Sequence, residues 1–159
     1  MAFPDLNLSP GLWPPDPLAE PQWYYGVTLR RMFAYGIDLV VLFIIIAAIH
    51  LMLGILTVAS LGLLFPLHLL VVPLGVALLY HSLQLAGPSA ATIGMRLMDL
   101  RAHRQEGGAP TLPQTLVHTV IFYGTLGLGA GILLLFALFN PQRRTIHDFL
   151  SGILILRVC

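Results

Sequence analysis

Apolar residues run almost without interruption over three stretches, 32–56, 61–85 and 116–139, and polar residues gather between them. The first two exceed the ~20 residues needed to cross a hydrocarbon core of ~30 Å, so each predicts a spanning helix. Pro66 and Pro73 fall inside the second. Neighbouring membrane helices re-satisfy the carbonyls that a proline frees, so a kinked helix is expected there. The link at 57–60 carries no Lys or Arg. The third stretch contains "GTLGLGAG" at 124–131, four glycines in eight positions. Glycine costs ~1 kcal/mol against alanine inside a helix, yet small residues let membrane helices approach closely. Two readings follow: a third spanning helix with a small-residue face, or a re-entrant pair of short helices turning at the glycines.

Charge separates these readings. Arg30 and Arg31 precede the first stretch, and Arg96, Arg101 and Arg104 follow the second. Arginine collects on the cytoplasmic side, which places both ends of this helix pair there and the 57–60 link outside. Arg143 and Arg144 follow the third stretch. A spanning third helix would carry this pair outside; re-entry keeps every arginine inside, and re-entry is the expectation taken. In the cytoplasmic link, Ser89 is a candidate N-cap. Ile93, Leu97 and Leu100 then line one face of a short helix lying on the membrane surface. "EGGAP" at 106–110 reads as a turn. "GILILRV" at 152–158 is too short to span, and it fits either a strand pairing near Leu100 or an interfacial helix.

Composition bears out the class. The chain has 159 residues, of which 57% are hydrophobic and only 9% charged. Soluble domains carry about a quarter charged residues, so the sequence describes an all-α integral membrane protein with short cytoplasmic elements. A formal net charge of +1 argues against a nucleic-acid partner; the lipid bilayer is the expected one. Residues 1–22 hold five prolines among the first seventeen positions and neither a basic nor an apolar leader region, so a disordered tail rather than a signal peptide is expected. Residues 23–159 form the membrane domain. Cys159 has no partner for an intramolecular disulfide.

Polar residues inside such a chain are the candidates for function. Arg31 and Asp38 are seven residues apart and share a helix face. An aspartate at mid-bilayer costs ~2.5–3.5 kcal/mol on insertion scales, so Asp38 should face protein or trapped water. It serves either as glue paired with an arginine or as a ligand for a proton or cation. Re-entry would gather Tyr80, His81, Gln84, His118, Arg143, Arg144, His147 and Asp148 on the same side. His50 and His68 fall near the opposite face, too few for a metal site. No metal and no cofactor are expected. His147 and Asp148 are adjacent on a helix and should diverge, and no nucleophile motif accompanies them, so an enzyme is not expected.

Three stretches together resemble one family. "LRRMFAYGIDLVV" at 29–41 is similar to its first-helix signature, "ATIGMRLMDLRA" at 91–102 to the link after its second helix, and "PQRRTIHDFLSGILIL" at 141–156 to its closing signature. This is the RDD family of small bacterial membrane proteins, named for one arginine and two aspartates. The resemblance implies Arg31, Asp38 and Asp148 as those residues. Met95, Asp99 and the segment 151–153 depart from the family pattern. Transport is the usual suggestion for the family, and some members are described as cation/proton antiporters. The expectation is therefore a multi-pass protein of the bacterial inner membrane with cytoplasmic termini. It would act as a transport protein or transporter subunit for a monovalent cation, a proton or a small solute. The proposed cluster is Arg31, Asp38, Arg144, His147 and Asp148, with Asp38 paired to an arginine and Arg144 the favoured partner. Three apolar stretches are few for a conduction path, so a homo-oligomer or another membrane subunit is implied. The alternative is a non-transporting scaffold or accessory subunit in which these residues are structural.

Overall fold

The computed structural model describes residues 13–127 and 136–158. The first twelve residues, the second half of the glycine stretch and Cys159 lie outside the described residues. Two long apolar helices dominate: α1 (Val27–Ala59) and α2 (Phe65–Leu85). They run antiparallel, because Thr57 near the end of α1 meets His68 near the start of α2 at 2.9 Å. Pro66 sits in the first turn of α2, where its missing N–H costs nothing. Pro73 lies inside the helix, as a membrane helix tolerates. The turn between the helices bends at Leu61 and Gly62, both at positive φ. Phe43, Leu51, Met52, Ile55 and Leu70 point outward and stay exposed. An apolar side chain in such numbers on an outward face is suited to lipid rather than water.

The connecting region departs from the expected surface helix. Thr92, not Ser89, caps the short helix α3 (Ile93–Leu97), accepting a hydrogen bond from the Met95 amide. Ser89 donates to the Ala91 carbonyl instead. Leu97 is exposed while Leu100 is buried, so the two do not share one helix face. Leu100 opens a strand, β1 (Leu100–Arg104). "EGGAP" does turn, at Gly107 and Gly108 with positive φ. Helix α4 (Leu112–Gly127) begins the third apolar stretch and the short α5 (Phe136–Phe139) ends it. Helix α6 (Ile146–Ser151) and strand β2 (Ile153–Arg157) follow.

The strand reading of "GILILRV" holds, and the fold is not purely helical. β2 pairs antiparallel with β1, from Leu100 opposite Arg157 to Arg104 opposite Ile153. An isolated two-stranded ribbon is marginal in water; here both faces are covered. Ile153 and Ile155 join Val27, Ala34, Leu85 and Met95 on one side. Leu154 and Leu156 pack against Trp23 and Tyr24 on the other. That two-sided burial explains why the strand shows an unbroken apolar run instead of alternation.

Residues 13–22, placed by the sequence in a disordered tail, make defined contacts with the ribbon and with Tyr24. The Trp13 indole donates to the Arg104 carbonyl at 3.1 Å and its ring lies 5.1 Å from that of His103. Tyr24 donates its hydroxyl to the Pro15 carbonyl at 2.7 Å. These aromatic contacts fasten the proline-rich segment along the ribbon. Proline lowers the entropy lost on such docking.

Candidate functional site

The polar residues converge where the first half of α1, the second half of α2 and α4 meet α3, α6 and the ribbon. A cavity of about 80 Å³ lies among them, lined by Arg31, Tyr35, Asp38, His81, His118 and His147, with Phe122 and Met95 closing it. Arg31 and Asp38 do share a face, since both line this cavity. Their partners differ from expectation.

Asp38 is buried and accepts from three uncharged donors. Tyr80 on α2 donates at 2.7 Å, Thr92 at the start of α3 at 2.6 Å, and the Gly94 amide at 2.8 Å. One carboxylate thus ties α1, α2 and α3 together. Among the described residues no arginine bonds it, which overturns the expected ion pair. Gly94 makes the arrangement possible: a Cβ there would lie 2.0 Å from the Ala34 carbonyl oxygen. Only glycine lets α3 approach the α1 backbone this closely.

Arg144, the expected partner of Asp38, lies elsewhere. Its guanidinium reaches the Gln105 side chain at 3.3 Å and the Asp148 carbonyl at 3.2 Å, and it stacks over the Phe149 ring at 4.1 Å. Stacking on an aromatic face gives this guanidinium a place that no anion need supply.

The buried ion pair is Arg31 with Asp148. Arg31 Nη2 donates to Asp148 Oδ1 at 2.9 Å, and Nη1 donates to Oδ2, giving the bidentate fork that guanidinium favours. The Thr145 amide also donates to Oδ2 at 2.9 Å, closing the first turn of α6. Asp148 is fully buried. Burial pushes its carboxyl up, but the Arg31 charge and hydrogen bonds, helped by His118 and His147, outweigh that and hold it below the usual carboxylate range. Burial pulls His147 down to about 3, so its ring is neutral at pH 7; Asp148 opposes this and Arg31 reinforces it.

His147 and Asp148 do not diverge as adjacent helical residues should. They occupy the first turn of α6, where both side chains fold back toward Thr145, and His147 Nε2 lies 2.8 Å from its hydroxyl. His118 on α4 completes the group: its Nδ1 is 3.0 Å from Ser151 Oγ and 3.7 Å from Asp148 Oδ1. Thr92, Gly94, Tyr35 and Thr145 are the members that sequence reasoning missed. A hydroxyl residue followed by Ile-Gly, the N-cap pattern of "ATIG", is the signal that would have found the first two.

Two long apolar helices with a polar cluster buried at one end define a membrane protein. A model of the RDD family matches residues 25–152, and the chain belongs to that family. No curated relative and no solved structure matches it.

Proposed function

We propose that this chain is a multi-pass transport protein, or a subunit of a transporter, that moves a monovalent cation or proton across the bacterial inner membrane. The cavity carries this reading. It brings one spanning-helix carboxylate, three histidines and two cavity-facing groups from α1, Arg31 and Tyr35, to one small polar space. Its volume suits a few waters or a nearly bare ion rather than a large solute. With Arg31 paired to Asp148, Asp38 is the one carboxyl group lining the space, and a carboxyl suits a cation or a proton. A homo-oligomer or a second subunit would supply the rest of a path.

The topology follows from where charge gathers. All eight basic residues lie at the end of α1–α2 that carries the ribbon, joined by contacts such as Arg30–Asp99 and Arg96–Gln84. The α1–α2 turn has none. The positive-inside rule therefore puts the ribbon end in the cytoplasm. His118 near the start of the third stretch and Ser151 beyond its end touch, which supports a re-entrant third segment. Leu150 is exposed, so a Leu150→Cys variant in a Cys159→Ser background should react with an impermeant maleimide only after the cells are opened. Reaction in intact cells overturns this orientation.

A scaffold role is the second reading, favoured by how fully Asp38 and Asp148 are satisfied. Ion flux into liposomes holding the purified protein separates the two. Transport predicts cation- or proton-coupled flux that falls at least about tenfold in His81→Gln, with an unchanged melting temperature. A protein that folds and carries no flux is a scaffold.

A further inference from the structure

The geometry points to a binding site for a divalent first-row transition metal of the zinc class, formed by His118, His147 and Asp148. The inference does not depend on transport. Each of these buried residues offers one ligand atom, and the three atoms lie within 4.8 Å of one another. Asp148 Oδ1 is the shared vertex, 3.7 Å from His118 Nδ1 and 3.7 Å from His147 Nε2. Metal bonds of about 2.0–2.1 Å in a tetrahedron place ligand atoms about 3.3–3.4 Å apart. Two edges therefore need to close by only a few tenths of an ångström; the His118–His147 edge closes furthest. Two imidazoles and a carboxylate are a donor set that suits zinc, iron or cobalt and not magnesium or calcium. Three protein ligands leave a coordination position open. His118 and His147 both line the cavity, so that position can face it and take a water or a small anion.

Arg31 is the counter-charge that a metal would replace. Its Nη2 lies 2.9 Å from Oδ1 and 3.4 Å from His147 Nε2, beside two of the three ligand atoms. Binding moves the guanidinium off Oδ1, while Nη1 keeps Oδ2 and the Arg143 carbonyl. The other contacts at the ligand atoms rearrange without net proton loss. Ser151 Oγ already donates to the His147 carbonyl at 2.7 Å, so it accepts from His118 Nδ1–H. On coordination that proton moves to Nε2 of the same ring. Thr145 turns its hydroxyl away from His147 Nε2. Guanidinium and metal thus compete for one carboxylate, and this gives a signature that a purely structural salt bridge lacks: removing Arg31 should tighten metal binding.

The test uses full-length protein purified without a histidine tag, stripped with chelator and titrated in detergent with Co²⁺ and then Zn²⁺. The expected result is about one equivalent of Co²⁺ with visible ligand-field absorption that Zn²⁺ abolishes. Affinity should fall at least about tenfold in His118→Gln and in His147→Gln, and rise in Arg31→Gln. Zn²⁺ should also raise the melting temperature of Arg31→Gln more than that of the native protein, because it supplies the missing counter-charge. If Arg31→Gln does not fold, the native protein against His118→Gln carries the test. No Co²⁺ binding by any folded form overturns the proposal, and so does binding that survives both histidine substitutions, which would place the metal away from this cluster.

Discussion

Arg31→Gln and Asp148→Asn should each lower the stability of the detergent-solubilised protein by about 3–5 kcal/mol, and the double variant should lose clearly less than the sum. Asp148 is wholly buried and its bidentate partner is Arg31. Removing either side alone leaves a charge out of water with nothing to balance it. Removing both leaves two neutral amides, at the cost of some packing and hydrogen bonds. Thermal unfolding at pH 7 in metal-free buffer, read as a double-mutant cycle, gives the coupling directly. Asp38→Asn and Arg144→Gln form the contrasting cycle. They touch different groups, Tyr80, Thr92 and Gly94 in one case and Gln105, Phe149 and the Asp148 carbonyl in the other. Their effects should add to within about 0.5 kcal/mol. Additive losses for Arg31 and Asp148, or strong coupling between Asp38 and Arg144, contradict the pairing described above.

Gly94→Ala should be nearly as damaging for the addition of one methyl group. The new Cβ would meet the oxygen, carbon and Cα of Ala34 at 2.0, 2.8 and 3.0 Å. All three are backbone atoms of a long helix, so no side chain can swing aside. Helix α3 must lift away, and Asp38 then loses the Gly94 amide and strains its bond to Thr92. Overpacking costs ~1–3 kcal/mol and a hydrogen bond to a charged group ~1.5–3, so a loss of about 3–5 kcal/mol is expected. Gly36→Ala is the control, since nothing lies within 4 Å of a Cβ there. It should leave the melting temperature unchanged or raise it slightly, because alanine favours the helix. Equal behaviour of the two variants in a melting experiment would remove the close-approach argument.

Much of this fold was legible because lipid-facing helices need little except length and hydrocarbon. The runs at 32–56 and 61–85 mark α1 and α2 to within five residues at each end. The side of the molecule on which polar groups gather was legible too, from arginine placement. Partner choice was not. Asp38 and Arg144 have opposite charges, and charge alone paired them in the sequence; donor geometry decided otherwise. A capped turn at Thr92 and a glycine at 94 deliver two donors to Asp38 that no periodicity announces. His147 and Asp148 were set apart by the rule for neighbours in a helix interior. They sit in a first turn, where free amides and a preceding threonine draw both side chains back. The ribbon was half legible, because an apolar run of four residues suits a buried strand and a helix equally until its partner is known.

The pairing of β1 with β2 also sets an order in time. Arg104 is made about fifty residues before its partner Ile153, which at ~5–20 residues per second is about 3–10 seconds of synthesis. Through that interval β1 has an open edge, and Arg31 waits beside the membrane without its carboxylate. Helices α1 and α2 need neither, because both are made before β1 and their pairing can start at the turn where Thr57 meets His68. The ribbon and the Arg31–Asp148 pair are the late, long-range events, the kind that limits folding rate. Nascent chains of this protein therefore pass through a stage in which the membrane hairpin is formed and the polar end is still open, with hydrogen-bonding groups and an unpaired charge on show to other chains.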